Sequence, residues 1–273
     1  MRSRILLTVA AIAAIAAISA PAASANHSWN GYHWARTANP FTVKLGDNVS
    51  GLWDNMLRTA STDWSKSTVL DTTIVAGGTR PKPCKATSGR VEVCNASYGN
   101  TGWLGVATIW ITGGEHIVQG TVKNNDYYFG NSTYQYNNTA EMQHVICQEI
   151  GHTFGLDHQS TDGTSLNTCM DYYHNTSASD TKSTHPNQGD YDELLCIYDP
   201  ASAGKTLTSG SGSARHTCTG TGHLDSTTTV GLASGSQLVP FGEMGESKYV
   251  DRLANGLTRI TYVHWATPIH TSF

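Results

Sequence analysis

Side chains that could perform metal-dependent hydrolysis are concentrated between Gln148 and His158, where the sequence is QEIGHTFGLDH. Gln148 and His152 are four positions apart, so a helix presents both on one face with their Cβ atoms about 6 Å apart. Glu149 follows beside that face, and Gly155 permits a sharp turn that returns His158 to the same point. Three candidate ligands converging next to a carboxylate are typical of a zinc site with an open position and a general base.

The stretch resembles the metzincin signature HExxHxxGxxH, which is followed by a Met-turn. Met170–Tyr172 matches the Met-turn, and a weaker likeness to matrixin-type members extends from about Tyr32 to Tyr198. The resemblance implies a zincin-like α+β fold of mixed α/β layers, with a twisted mixed sheet, an active-site helix and a C-terminal helix. The chain departs from the signature at one position, because Gln148 replaces the first His.

The resemblance also implies a role for each residue of the site. Glu149 would be the general base that accepts the proton of a zinc-bound water and passes it to the leaving amine. Tyr172 stands where some metzincins have a Tyr that assists at the metal, although wall packing is an equally good interpretation. Met170 would form an apolar floor under the histidines. The implied ligands of Zn2+ are Gln148, His152 and His158.

The missing imidazole leaves several possibilities for the third ligand. The amide oxygen of Gln148 is neutral and can reach from the same helix position, but it is a weaker donor. His144 shares the face but lies eight residues before His152, about 12 Å along a helix, which is too far to share a metal. A remote residue such as His116 or His174 is another possibility. The last alternative is a degenerate site that holds no metal.

The N-terminus has the three-part plan of a secretory signal peptide. Arg2 and Arg4 precede an apolar run over Ile5–Ile18, and the small residues Ala23–Ala25 follow. The run is too short to cross a bilayer of about 30 Å, so we expect no membrane span. We therefore predict that residues 1–25 are a signal peptide and that the mature protein is secreted.

Composition limits the class of protein. The 273 residues include 17 Lys and Arg against 21 Asp and Glu, which argues against a nucleic-acid partner. Hydrophobic residues make up 38%, enough for a folded core. We expect a monomer with a metalloprotease-like catalytic domain over 26–198, a Gly/Ser/Thr-rich insertion over 199–222 and a β-rich C-terminal extension over 223–273.

Six cysteines in an exported chain predict three disulfides. Six allow 15 pairings, and short separations favour local ones. The expected pairs are Cys84 with Cys94, Cys147 with Cys169, and Cys196 with Cys218.

Hydrophobic periodicity and capping residues place the elements around the site. Asn138 and Glu141 predict a capping box at the start of the active-site helix. The predicted helices are Trp53–Trp64, capped by Ser50, then 138–154 and a third capped by Asn187; the strands are Val69–Ala76, Val91–Val93, Leu104–Thr112 and His116–Lys123, with a hairpin from Tyr249 to Ala266 around Asn255-Gly256.

A polypeptide substrate is expected to lie extended along an edge strand. His116–Lys123 is the candidate edge, and Tyr173–Pro186 would wall the specificity pocket. Ca2+ is implied only by the resemblance to matrixins, since no ligand loop of the Asp-x-Asp-x-Asp-Gly type is present. The main expectation is a secreted zinc endopeptidase. The alternatives are an exported pseudo-protease that binds polypeptide without cleaving it and a disulfide-bonded structural protein of the envelope.

Overall fold

The structure of the chain is a computed structural model that describes residues 27–199, 206–208, 215–217, 235–240 and 247–266. The predicted signal peptide and Cys218 lie outside these ranges, as does most of the predicted insertion. Within the described ranges, every helix falls short of the length and apolarity needed to cross a bilayer.

The described residues form a mixed α+β structure, as expected, built on one large sheet. Its strands are β1 His33–Trp34, β2 Phe41–Asn48, β3 Leu70–Ala76, β4 Val91–Ala96, β5 Trp103–Thr112, β6 His116–Asn125, β9 Gly235–Pro240, β10 Ser247–Arg252 and β11 Thr258–Trp265, while β7 Thr206–Thr208 and β8 Arg215–Thr217 form a separate pair. Eight strands of the sheet follow the order β3-β2-β4-β6-β5-β11-β10-β9, and β1 pairs with β6 off this path. Pairs among β1, β2, β3, β4 and β6 are parallel, whereas β6, β5, β11, β10 and β9 are successively antiparallel.

Helices pack against this sheet and position the candidate site. α3 lies against β5, β6 and α1, and its residues from Ala140 to His152 are all buried. The apolar stripe predicted for the first helix faces the core, because Trp53, Leu57, Ala60 and Trp64 are buried. The helices are α1 Trp53–Trp64, α2 Asp126–Phe129, α3 Thr139–His152 and α4 Gln188–Tyr198.

Two capping predictions need correction. The N-cap of α1 is Leu52 rather than Ser50, whose backbone N–H instead donates to Asn95 Oδ1 at 2.8 Å. Asn138 does cap α3 by accepting from the Glu141 N–H at 2.9 Å, but the Glu141 side chain turns inward and leaves the box half formed. The complete capping box belongs to α4, at Asn187.

The prediction that His116–Lys123 is an edge strand is wrong. β6 pairs with β4 on one side and with β5 on the other. The turn at Gly113 and Gly114, both with positive φ, folds β6 back on β5, so β6 becomes an inner strand. The free side of β5 is then covered by β11, in register from Trp103 to Ile111.

Two disulfides lie wholly within the described residues. Cys84 pairs with Cys94, and Cys147 pairs with Cys169, both as predicted. Cys196 is also disulfide-bonded. These bonds are compatible with an extracellular location.

Candidate active site

The two histidines of the predicted ligand set converge in the structure. The last residue of α3 is His152. Gly155 follows with a φ of 93°, and a Cβ atom at this position would overlap the carbonyl oxygen of Tyr32. This turn brings His158 back, so that its Nε2 lies 3.2 Å from Nε2 of His152. Both side chains are buried.

The pair has the donor arrangement of a metal site. Nδ1 of His152 lies 2.9 Å from the Leu156 carbonyl oxygen, which holds the proton on that nitrogen and directs the lone pair of Nε2 toward His158. With zinc–nitrogen bonds of 2.0–2.1 Å, two nitrogens on a tetrahedral zinc lie about 3.3 Å apart. Burial and the nearby ring of His158 lower the pKa of His152 well below its ordinary value, so this imidazole is neutral, as a ligand must be.

Gln148 lies on the same face of α3, but its amide has protein partners at both ends. Its Nε2 donates to the Asp171 carbonyl oxygen at 2.8 Å, and its Oε1 accepts from Nδ1 of His264. The side chain is fully buried. Before Gln148 could ligate a metal through Oε1, the hydrogen bond from His264 would have to break.

Glu149 is buried between α3 and β5. A Cβ added at Gly105 would meet its Oε1 at 2.7 Å, so glycine at 105 makes room for the carboxyl group. Neither carboxyl oxygen forms a hydrogen bond of normal geometry with the described residues. Burial raises the pKa of Glu149 well above its ordinary value, and the Ala107 backbone offsets only part of this effect. A buried carboxyl without a hydrogen-bond partner, three positions before His152 on the same helix, is a candidate general base.

The predicted Met-turn packs against α3 at Gly151, next to His152. Met170 is fully buried, and a Cβ at Gly151 of α3 would meet its Sδ at 2.5 Å. The Cys147–Cys169 disulfide ties this turn to α3. Gln159 donates its backbone N–H to the Met170 carbonyl oxygen at 2.8 Å, which holds the segment after His158 against the turn.

The other predicted site residue, Tyr172, is also buried and packs against the site. Its ring centroid lies 5.6 Å from that of His158 and 5.2 Å from that of His264. Its hydroxyl accepts the backbone N–H of Trp265 at 3.2 Å. In this arrangement the hydroxyl is engaged by β11.

The C-terminal strand covers the site. The ring of Tyr262 stacks on His152 and lies edge-on to His158, with centroids 4.5 and 5.6 Å apart. His264 contacts Gln148, as described above, and Trp265 contacts Tyr172. Three residues of β11 therefore contact residues of the candidate site.

The remaining candidate ligands lie in two other places. Nδ1 of His174 is 2.7 Å from Glu141 Oε1, and its ring is 5.2 Å from that of His264. Nε2 of His144 lies 3.1 Å from the Asp171 carbonyl oxygen. His116 packs against His33 where β1 meets β6, with ring centroids 4.9 Å apart.

Sequence reasoning missed the contributions of Glu141, Tyr262 and His264. The sequence pattern predicts only a capping role for Glu141, and the other two residues belong to a hairpin more than 100 positions from α3. Only the pairing of β11 with β5 brings them to the site. No local pattern in the sequence distinguishes His264 from the chain's other 11 histidines.

The loop predicted to wall a specificity pocket connects the Met-turn to α4. Within it, Tyr173 donates its hydroxyl to Asp180 Oδ2 at 2.7 Å, and Asn175 Nδ2 donates to the Asp180 carbonyl oxygen at 2.5 Å.

Comparisons of the chain with protein-family models and with curated proteins find no match.

Proposed function

We propose that the protein is a secreted zinc endopeptidase with a zincin-like fold, and that its active site lies between α3, the Met-turn and β5. The observation that carries the proposal is the 3.2 Å approach of the Nε2 atoms of His152 and His158, and the buried carboxyl of Glu149 on the same helix adds a candidate base. The resemblance to the metzincin signature points to the same residues.

The residues present fit zinc. His152 and His158 would hold it through Nε2, and Gln148 would add its amide oxygen once released from His264. Bound zinc supplies a Lewis acid and a water of lowered pKa. The Leu156 carbonyl oxygen holds the tautomer of His152, and Met170 keeps the floor apolar and dry.

Glu149 is placed to move the proton. Burial raises its pKa well above that of an ordinary carboxyl, and a stronger affinity for the proton suits a group that must first take a proton and then give it to the leaving amine. Tyr172 can donate its hydroxyl to the carbonyl oxygen under attack after Trp265 moves away.

Access of substrate requires the C-terminal hairpin to move. A polypeptide adds to a sheet by pairing with an exposed strand, and the side of β5 next to the site is occupied by β11. In this proposal the closed form does not cleave, and the rate of the full chain is set by the fraction of molecules in which β11 has left β5.

The same observation favours a second candidate, a pseudo-protease in which β11 permanently fills the substrate position. The Glu149→Gln variant separates the two, because it removes the base and keeps the shape of the side chain. We expect wild type to cleave an unfolded reporter protein and the variant to lose at least about 100-fold of the rate. Equal rates that both match the buffer background would support the pseudo-protease.

A structural envelope protein is the third alternative, and it predicts no specific metal. Elemental analysis of protein purified without added zinc tests this directly. Zinc that binds only the native state also raises the unfolding temperature. Protein that carries no zinc and gains no stability from it would contradict the enzyme proposal.

A further inference from the structure

A second cluster of ligand-type side chains lies about one helical turn before Gln148. Glu141 and His144 come from α3, and His264 comes from β11. One nitrogen or carboxylate oxygen from each lies within 4.8 Å of those of the other two. All three residues are buried, with 0%, 0% and 2% exposure.

The outer nitrogens of the two imidazoles are already held by oxygen acceptors. Nε2 of His144 lies 3.1 Å from the Asp171 carbonyl oxygen, which leaves Nδ1 facing Glu141 Oε2 at 3.5 Å. Nδ1 of His264 donates to Gln148 Oε1, and its Nε2 is buried with no hydrogen-bond partner among the described residues. Metal-bound histidines are oriented in the same way, by an acceptor for the N–H that does not face the metal.

The carboxylate of the cluster is supported in a similar way. Glu141 Oε1 lies 2.7 Å from Nδ1 of His174, and Oε2 accepts the backbone N–H of Asn175 at 2.6 Å. Burial alone would raise the pKa of Glu141, but His174 and His144 lower it to about 2. The group is therefore an anion with a supporting shell of its own.

We propose that Glu141, His144 and His264 form a second zinc site, separate from the pair His152 and His158. Two imidazoles and a carboxylate are a common protein ligand set for zinc. Because the ligands come from α3 and β11, the metal would hold the C-terminal hairpin against the candidate active site. The inference does not depend on catalysis, since it concerns different ligands and a different metal ion.

The rival explanation is a buried ion-pair cluster that neutralises Glu141 without metal. To separate the two, the pair His152 and His158 is first silenced in the full secreted chain by a double substitution to Ala. The chelator-treated double variant is then titrated with Zn2+ by calorimetry, and bound metal is counted by elemental analysis after gel filtration.

We expect the double variant to bind one equivalent of zinc and to unfold at a higher temperature when zinc is present. Adding Glu141→Gln or His264→Asn to it should reduce binding to zero equivalents. Glu141→Gln keeps the size of the side chain, and Asn in place of His264 is smaller but keeps an N–H donor near the position of Nδ1. Near-UV circular dichroism checks that each variant folds. His185→Ala is the matched control, because His185 is half-exposed and pairs with Asp63.

Two results would overturn the proposal. One is a folded double variant that binds no zinc, which would leave the ion-pair explanation. The other is one equivalent of zinc that survives both Glu141→Gln and His264→Asn. Failure of the catalytic site is measured separately, by comparing wild type with a double variant that binds one equivalent: two equivalents in wild type indicate both sites, and one equivalent indicates only the second.

Discussion

The aromatic ring of Tyr262 lies flat on the imidazole of His152, with ring centroids 4.5 Å apart and an angle of 11° between the planes. One ring belongs to β11, the last strand of the described residues, and the other to His152, the last residue of α3. The stack therefore joins the C-terminal hairpin to the centre of the candidate site. Trp29 also packs on Tyr262, with ring centroids 4.2 Å apart.

We expect Tyr262→Ala to loosen β11 from the sheet. Removing a fully buried aromatic side chain costs about 3–5 kcal/mol, part of which is lost in local opening. Hydrogen exchange in Thr258–Trp265 should then become about 10-fold to 100-fold faster, measured by mass spectrometry. Tyr249→Ala is the control, since Tyr249 lies on the same hairpin but is 37% exposed. Equal exchange in the two variants would mean that the stack does not hold the hairpin.

Locking the hairpin should abolish peptidase activity. Thr108 of β5 and Thr261 of β11 are register partners with their hydroxyl oxygens 3.1 Å apart. We expect the variant Thr108→Cys/Thr261→Cys to be inactive when the new disulfide is oxidised. After mild reduction its cleavage rate should be at least about 10-fold higher than in the oxidised form. The reduced form is its own control. Activity that is the same in both redox states would show that substrate enters without displacement of β11.

The buried Glu149 carboxyl predicts a pH-dependent stability in metal-free protein. Its pKa is ordinary in the unfolded chain and raised in the folded one, so the unfolded chain releases this proton first as pH rises. Above the unfolded pKa, each pH unit therefore removes up to about 1.4 kcal/mol of folding stability, until the folded pKa is reached.

The Glu149→Gln variant does not lose stability in this way, because glutamine does not titrate. We expect its stability advantage over wild type to grow between about pH 5 and about pH 7, measured by urea unfolding with a chelator present. Asp171, whose pKa burial raises to about 7, adds a slope of the same sign to both proteins and cancels in the difference. A difference that is constant with pH would contradict the raised pKa of Glu149.

The Cys147–Cys169 disulfide should matter for the metal as well as for stability. Replacing both residues by Ala opens a loop with a sequence separation of 22, which costs about 3 kcal/mol in the chain-entropy model. We expect weaker zinc binding too, because the bond ties the Met-turn to α3. Cys84 and Cys94 are 10 positions apart, and replacing both by Ala should cost a similar free energy of unfolding but leave the zinc affinity unchanged. Equal zinc affinities in the two variants would contradict this role.

Restoring the missing imidazole tests the third ligand. We expect Gln148→His to tighten zinc binding at the pair His152 and His158, because imidazole nitrogen is a better donor than an amide oxygen. The same change removes the acceptor that orients His264, so the hairpin should exchange hydrogen faster. Competition with a chelator measures the first effect. Unchanged affinity would mean that residue 148 does not face the catalytic metal.

The sequence by itself determined the parts of the site that are close along the chain. Helical spacing places Gln148 and His152 on one face, and Gly155, with its positive φ, returns the chain so that His158 meets His152. The Asn138 and Asn187 caps and the two disulfides within the described residues were predictable for the same reason, since each depends on local geometry or short loops.

Only the tertiary structure decided what lies opposite those residues. Strand alternation shows which face of β6 or β11 is buried, but it does not specify which strand pairs with which, because pairing depends on contacts distant in sequence. The predicted edge at His116–Lys123 was wrong for this reason, and β11 covers β5 instead. That long-range pairing brings Tyr262 onto His152 and His264 to Gln148. The contacts of β11 with the candidate site and the second cluster therefore arise from the order of strands in the sheet rather than from any sequence motif.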